Sequence, residues 1–252
     1  MASLSTREAV EIFHLLFLRV LTSGPDKAHY VVKGGCNLRF FFQSIRYSED
    51  LDIDITVVAK QTLKNKIDRA LSSAPLVPLL RSRGLAIVDL SAPKQTDTTQ
   101  RWKIGLSVAG SALPLRTKIE FSRRGAAQDS VFGAVDAELA RHYGITAPLA
   151  NHYAAAEAVE QKLAALAQRP ETQARDVFDL HLLLSTRPEL RVEVSRTVMD
   201  KATECAMSLS FDDFSGQVVA YLSPEHQSLY RSKESWDQMQ GEVVDAIARL
   251  GK

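Results

Sequence analysis

The residues with the clearest chemical potential lie in one stretch, Ser48-Glu49-Asp50-Leu51-Asp52-Ile53-Asp54-Ile55. Successive side chains of a β-strand point to opposite faces. A strand here puts Asp50, Asp52 and Asp54 on one side and Leu51, Ile53 and Ile55 on the other. Same-face neighbours on a strand stand about 7 Å apart. Two unit charges at that distance repel by roughly 2 kcal/mol at an effective dielectric near 20, and by about 0.6 kcal/mol in bulk water. A partly enclosed acidic row therefore calls for a cation, a basic partner or a raised pKa. Mg²⁺ suits it, because that ion is held by one or two carboxylates together with substrate phosphates. Two such ions can stabilise both the attacking and the leaving oxygen of a phosphoryl displacement. The alternation alone fits a solvated strand face equally well.

Two further segments bear on the choice. In Lys118-Ile119-Glu120-Phe121, the apolar pair can face a core and turn Glu120 to the polar side, where a neighbouring strand would bring it beside Asp52. In Val31-Val32-Lys33-Gly34-Gly35, a strand runs into paired glycines. Glycine permits positive φ and close approach of backbone N–H groups to phosphate, and a short helix after it adds its positive amino end. Taken alone, a Gly-Gly pair is more often a plain tight turn.

Together these blocks are specific. Lys33-Gly34-Gly35-Cys36-Asn37-Leu38, followed by Arg46-Tyr47-Ser48-Glu49-Asp50-Leu51-Asp52, resembles the first motif of AbiEii-type nucleotidyltransferases, which with the MenT-like toxins fall in the polymerase-β-like nucleotidyltransferase superfamily. Later, Glu157, Lys162, Leu163, Ala165, Leu166, Arg169, Arg175, Asp176, Phe178, Asp179 and Leu180 resemble that family's helical motif. The likeness covers residues 30–185 in pieces. One departure is Cys36, where the family usually has a hydroxyl residue. A thiol donates poorly to phosphate, and at a helix amino end its pKa is expected to fall, giving a thiolate that would repel phosphate.

The resemblance implies a metal site of Asp50, Asp52 and Glu120 for Mg²⁺ (or Mn²⁺), with Glu120 also helping to activate an acceptor hydroxyl. It implies a nucleotide site drawing on Lys33, Gly34, Gly35, Cys36, Arg46, Ser48, Lys162 and Asp176. Lys162 becomes a triphosphate ligand that offsets the leaving pyrophosphate, oriented by Asp176. Ser48 is read as a phosphate contact, against the alternative of a hydroxyl capping a strand edge. Arg46 fits either phosphate or the acidic row. Asp54 is read as a bystander. The implied activity is transfer of a nucleotide from an NTP to an RNA hydroxyl, the tRNA 3′ end by likeness, which would block aminoacylation and translation. The protein would then be the toxin of a toxin–antitoxin pair with a cognate antitoxin. NMP transfer to a protein hydroxyl, or a non-catalytic nucleotide-binding module, is the alternative.

Elements must hold these residues in place. Ser5-Thr6-Arg7-Glu8 is a capping box ahead of Val10, Phe13, Leu16, Phe17 and Val20 at helical spacing, and Gly24-Pro25 stops that helix. Strands are expected at 30–33, 51–58, 84–90, 101–108 and 115–121, and helices at 37–43 and 62–71. Beyond residue 150 the chain turns Ala/Leu/Glu-rich, with helices expected at 153–168, 174–184, 193–207, 213–222 and 234–250. The fold class is α+β: a nucleotidyltransferase-like mixed sheet with flanking helices over 1–150, then a helical domain over 151–252 that completes the nucleotide site.

Composition sets the outer bounds. The chain has 252 residues, 24% of them charged, with a formal net charge of +1, so a nucleic-acid footprint must be a local patch. Arg81 with Arg83, Arg123-Arg124 and Arg101-Trp102-Lys103 are small basic clusters. The last pairs charge with a ring that could stack on a single-stranded acceptor. The two cysteines lack metal spacing, and four of the six histidines, His14, His29, His142 and His181, read as structural. The most apolar stretch, 12–21, is too short to span a bilayer at about 20 residues. A cytoplasmic monomer without membrane contact is the expectation.

Overall fold

A computed structural model describes residues 4–123 and 130–250. Contacts divide the chain into two compact units: residues 1–43 with 47–153, and residues 44–46 with 154 onward.

The first unit opens with α1 (Thr6–Leu21), which begins at the expected capping box on Ser5 and Glu8. A 3₁₀ turn (Pro25–His29) leads into β1 (Tyr30–Lys33), α2 (Gly34–Phe41) and β2 (Asp50–Ile55). Then come α3 (Lys60–Leu71), α4 (Val77–Arg81), β3 (Leu85–Gln95), β4 (Thr99–Val108), β5 (Leu115–Ser122), β6 (Ser130–Ala134), α5 (Ala137–His142) and β7 (Leu149–Tyr153). The seven strands form one mixed sheet in the order β3-β4-β5-β2-β1-β7-β6. β2 lies between β1, antiparallel, and β5, parallel.

Alternation decides which side of this sheet is dry. Leu51, Ile53, Ile55, Ile119, Phe121, Trp102, Ile104 and Leu106 join Phe13, Leu16 and Phe17 of α1 in one core. Burying an aliphatic or aromatic side chain stabilises by about 1.5–3 kcal/mol, so these residues fix the register of β2, β4 and β5. A slip of one residue would turn Asp50 and Asp52 into that core.

The structure differs from the sequence reading at several boundaries. Helix α2 starts at Gly34 rather than Asn37. Strand β2 ends at Ile55 rather than Val58, because Val57 adopts a positive φ of 59° that cannot continue a ladder. Tyr153, expected to begin a helix, is the last residue of β7 and pairs with Ser130. Strands β6 and β7, helices α4 and α5 and the later helix over Pro224–Leu229 escaped the sequence reading, since they are short and carry no clean period.

The second unit is helical: α6 (Ala155–Gln168), α7 (Ala174–Thr186), α8 (Arg196–Ser208), α9 (Phe211–Gln217), a 3₁₀ turn (Val219–Tyr221), α10 (Pro224–Leu229) and α11 (Lys233–Leu250). Pro170 stands between α6 and α7. The core here is aromatic, with Phe214 stacked on Trp236 at 4.8 Å and flanked by Phe178 and Tyr230. No helix among the described residues is long and apolar enough to cross a membrane.

Candidate functional site

On the polar face of the sheet, register alone assembles the carboxylates. Asp52 of β2 lies opposite Glu120 of β5 on one side and Lys33 of β1 on the other. Asp50 lies opposite Lys118. Directly opposed residues share a face with Cβ atoms about 4.5–5.5 Å apart.

The cations around this row were missed by the sequence reading. Lys118 Nζ is 2.8 Å from Asp50 Oδ2, and Arg101 Nε donates to Glu120 Oε2 at 2.5 Å. Lys118 sits two residues before Glu120 on the same strand face, which was a legible signal. Lys33, expected at phosphate, donates to Asp54 Oδ1 at 2.5 Å, and Tyr153 Oη donates to Asp54 Oδ2 at 2.7 Å. Asp54 is thereby a fully partnered, buried carboxylate.

Asp52 is different. Among the described residues it forms no ion pair and accepts no side-chain hydrogen bond. Burial raises its carboxyl pKa above the usual range, and the neighbouring Asp50 adds to this; Lys33 and Lys118 oppose it in part, and Glu120 pushes it further up. Beside it stands Gly34, with φ +65°. A Cβ on Gly34 would lie 3.2 Å from Asp52 Oδ2. The glycine turn and the central carboxylate are therefore direct neighbours, and both the positive φ and this close approach require glycine. Among the described residues no side chain caps the amino end of α2, so its first N–H groups remain anion-binding donors.

Beneath the row a set of hydrogen bonds fixes where β2 begins. Ser48 Oγ donates to the Asp50 carbonyl oxygen at 2.9 Å, and so does Cys36 Sγ at 3.2 Å. Thr117 Oγ1 donates to Glu49 O at 2.6 Å, which leaves His14 Nε2 to donate to Thr117 Oγ1 at 2.8 Å. Burial holds the His14 pKa down at about 3, so the ring is neutral. The Ser48 hydroxyl thus caps the start of β2 from the position where a phosphate contact is expected.

Two expectations need correction. The Cys36 thiol is 1% exposed and its pKa is pushed well up, first by burial, not down toward a thiolate. The helix amino end does not activate it because its side chain points into the core, leaving only its backbone to face an anion. Trp102 is fully buried, donating Nε1 to Asp68 Oδ1 at 2.8 Å, so it offers no stacking platform. Its neighbours Arg101 and Lys103 carry the charge alone. Arg123 is committed to Val58 O and Gln100, and Arg124 lies outside the described residues. Both cysteines are free thiols.

The second unit holds a separate ionic cluster. Lys162 falls in phase with Ala158, Val159, Leu163 and Leu166 on the inward stripe of α6. Its Nζ lies 2.9 Å from Asp176 Oδ1 and 2.5 Å from Asp179 Oδ2. Arg46, within the short segment that packs with this unit, is buried and donates Nη2 to both Asp179 oxygens at 3.1 and 3.0 Å. Its acidic partner is thus on α7 rather than in the β2 row. Burial would raise the Asp179 pKa, but Arg46 and then Lys162 outweigh it and hold the carboxyl below the usual range. Burial likewise acts to lower Lys162, and Asp179 with Asp176 overrides that to keep it raised. Asp176 Oδ2 accepts no hydrogen bond, with Arg169 Nη1 3.3 Å away.

Whether the sheet site suits a divalent ion turns on its donors. Asp50 and Asp52 supply only carboxylate oxygens, the chemistry Mg²⁺ takes, and among the described residues Asp52 has no ion pair that would compete for such an ion. Among the described residues, no three carboxylate, imidazole or thiol groups gather closely enough to enclose an ion. The residues fit a two-carboxylate holder that substrate phosphates would complete, with Glu120 alongside on Arg101.

Comparison with known proteins adds to this geometry. Residues 16–248 match the family described as nucleotidyl transferase AbiEii toxin, Type IV TA system. No curated protein matches the chain. Among solved structures, JHP933 from Helicobacter pylori is similar at 19% identity, with a TM-score of 0.63 and coverage of 99% of this chain and 97% of that one. MenT4, a nucleotidyltransferase toxin from Mycobacterium tuberculosis, is similar at 19% identity, with a TM-score of 0.55 and coverage of 96% and 91%. At these identities the likeness shows a shared fold.

Proposed function

Because the chain belongs to the AbiEii family of nucleotidyltransferase toxins from type IV toxin–antitoxin systems, we propose that the polar sheet face transfers a nucleotide from an NTP to an RNA hydroxyl, the tRNA 3′ end being the favoured acceptor. Family membership implies both an NTP substrate and an antitoxin. The observation that carries the reading is the contact between Gly34 and Asp52. It joins a backbone anion holder to the carboxylate that most lacks a cation.

In this reading the N–H groups of Gly34 and Gly35 hold the triphosphate at the amino end of α2. Asp50 and Asp52 would hold a divalent ion. When bound, such an ion would neutralise charge developing on the phosphoryl oxygens. The acceptor hydroxyl oxygen forms a bond to the α-phosphorus as the bond to the bridging oxygen of the β-phosphate breaks, and pyrophosphate leaves. Glu120, oriented by Arg101, takes the hydroxyl proton. Lys162 and Asp176 enter through the family resemblance alone, as a phosphate ligand and the carboxylate that orients it. Transfer to the tRNA 3′ end would block aminoacylation and so translation.

The test is incubation of the purified protein with radiolabelled NTPs, Mg²⁺ and total tRNA. Label is expected in RNA, and to be lost when Mg²⁺ is chelated. Binding of NTP without any label transfer would sink the assignment, and label entering protein instead would move the acceptor to a protein hydroxyl.

A further inference from the structure

A cavity of about 410 Å³ opens beside Asp50, lined also by Ser91, Lys103, Arg116 and Lys118. Register explains why these side chains meet. Ser91 of β3 lies opposite Lys103 of β4, Lys103 opposite Lys118 of β5, and Lys118 opposite Asp50 of β2. A second row runs parallel to the first: Lys94 opposite Arg101, Arg101 opposite Glu120, and Glu120 opposite Asp52. Both rows begin at the outer strand of the sheet, cross a band of positive charge and end on a carboxylate of the candidate site.

This band contains an arrangement that folding alone disfavours. Lys103 faces Lys118 and Lys94 faces Arg101, and like charges directly opposed across a ladder are destabilising. Three of the cations have partners: Lys118 on Asp50, Arg101 on Glu120, and Arg116 on Asp89. Arg116 reaches Asp89 across Gly105, where a Cβ would collide with the Asp89 side chain at 2.9 Å. Lys94 and Lys103 have no ion pair among the described residues, and Lys103 is exposed. An anion laid along the rows would supply a partner to Lys94 and Lys103, the members of these opposed pairs that have no ion pair among the described residues.

We propose that the polar face of β3–β5 is the docking track for the acceptor: a single nucleic-acid strand whose phosphodiesters lie on Lys94 and Lys103 and whose terminal hydroxyl enters the cavity beside Asp50. The proposal rests on the transferase reading and adds where the acceptor binds. A strand end suits the place, because the track stops at the carboxylates. A protein acceptor has no repeating negative charge to match two successive cation rows. The track is sequence-blind, since phosphate contacts position a strand without reading its bases.

The experiment measures binding of a fluorescein-labelled single-stranded RNA by anisotropy across a salt series, with the DNA strand of the same sequence as a second arm. Label transfer is followed in parallel. For the wild-type protein, affinity should fall steeply with salt. Replacing both Lys94 and Lys103 by Ala should weaken RNA binding about 10-fold and flatten the slope of log K against log salt by about 1.4, roughly 0.7 for each lost phosphate contact. The KM for NTP and the rate at saturating RNA should hold. Lys103→Arg should keep the affinity. Equal weakening of the DNA strand supports a phosphate track.

If the double variant binds RNA as the wild type does while the wild type labels RNA, the track is wrong and the transferase reading stands. If RNA binding is lost in the variant but the wild type transfers nothing, the track stands and the reading falls. If the wild type binds neither strand, or labels only protein, the track is overturned.

Discussion

The carboxylates of the helical unit and those of the sheet face both lie among cations, and they are balanced in opposite ways. In the helical unit, Asp176 and Asp179 face Arg46 and Lys162, all of them buried, with nearly every oxygen on a cation. On the sheet, Asp50 and Glu120 each have one partly exposed partner, and Asp52 between them has no ion pair among the described residues. Burial acts to raise both carboxyls: at Asp179, Arg46 and Lys162 outweigh it and hold the group below the ordinary range, while at Asp52 burial and Asp50 prevail over Lys33 and Lys118 and hold it above. A closed ionic cluster has its charges matched within the fold, whereas an open one invites a ligand. The lesson is that acidity alone did not separate them. The supply of cations did, and that supply is set by which strands and helices lie next to each other.

The largest effect that would sharpen this contrast is on stability. Asp179→Ala leaves two buried cations facing a single carboxylate, and removing one partner of a buried pair costs about 3–5 kcal/mol. Urea unfolding should show that loss, while Asp52→Ala should leave the midpoint unchanged or raised because it removes repulsion. Equal losses in both variants would erase the distinction between the two regions.

Activity comes next and reverses the order. Asp52→Ala should cut nucleotide transfer at least about 100-fold, or about 2.7 kcal/mol of barrier, with circular dichroism unaltered. A wild-type rate would remove Asp52 from the chemistry. A smaller effect is expected from Gly34→Ala. A left-handed conformation costs a residue with a Cβ about 1–2 kcal/mol, and the added methyl would press on Asp52 Oδ2. Here the KM for NTP should rise more than the melting temperature falls; a purely thermal effect would make Gly34 a turn residue only.

The smallest effect is in the pH dependence. A carboxylate with a lowered pKa contributes stability that is complete above its unfolded pKa and fades as pH drops through the folded one, and Asp179 is such a group. For a raised carboxylate the sign inverts: no penalty at low pH, and a growing one as pH climbs from the unfolded value through the raised one, as for Asp52. With chelator present, Asp52→Asn should therefore gain on wild type as pH rises through this window, with a limiting slope of about 1.4 kcal/mol per pH unit. A flat difference across that window would mean that Asp52 is compensated after all.

Much of the site was readable in advance, and for local reasons. Alternation over Asp50–Ile55 and over Lys118–Phe121 fixed which side chains share a face, because side-chain direction in a strand depends only on parity. The paired glycines were read as a turn ahead of a short helix, and in the structure they open α2 themselves. Lys162 was singled out by resemblance, yet its burial was also legible, since it falls in phase with the apolar stripe of α6. The cysteine was misread: helix position suggested a lowered pKa, but the direction of the side chain, inward, controls its solvation.

What the chain by itself determined, then, was the set of faces: carboxylates on one side of β2, apolar residues on the other, and a helical second half with its own core. Neighbours were decided only in three dimensions. That Arg101 and Lys118 would screen Glu120 and Asp50, that Tyr153 and Lys33 would claim Asp54, and that Asp52 would be left beside Gly34 all depend on the strand order β4-β5-β2-β1-β7. The physical reason is range. Parity and helical phase act over a few residues, while the charge balance of a carboxylate is set by whatever the fold brings within hydrogen-bonding distance from anywhere in the chain.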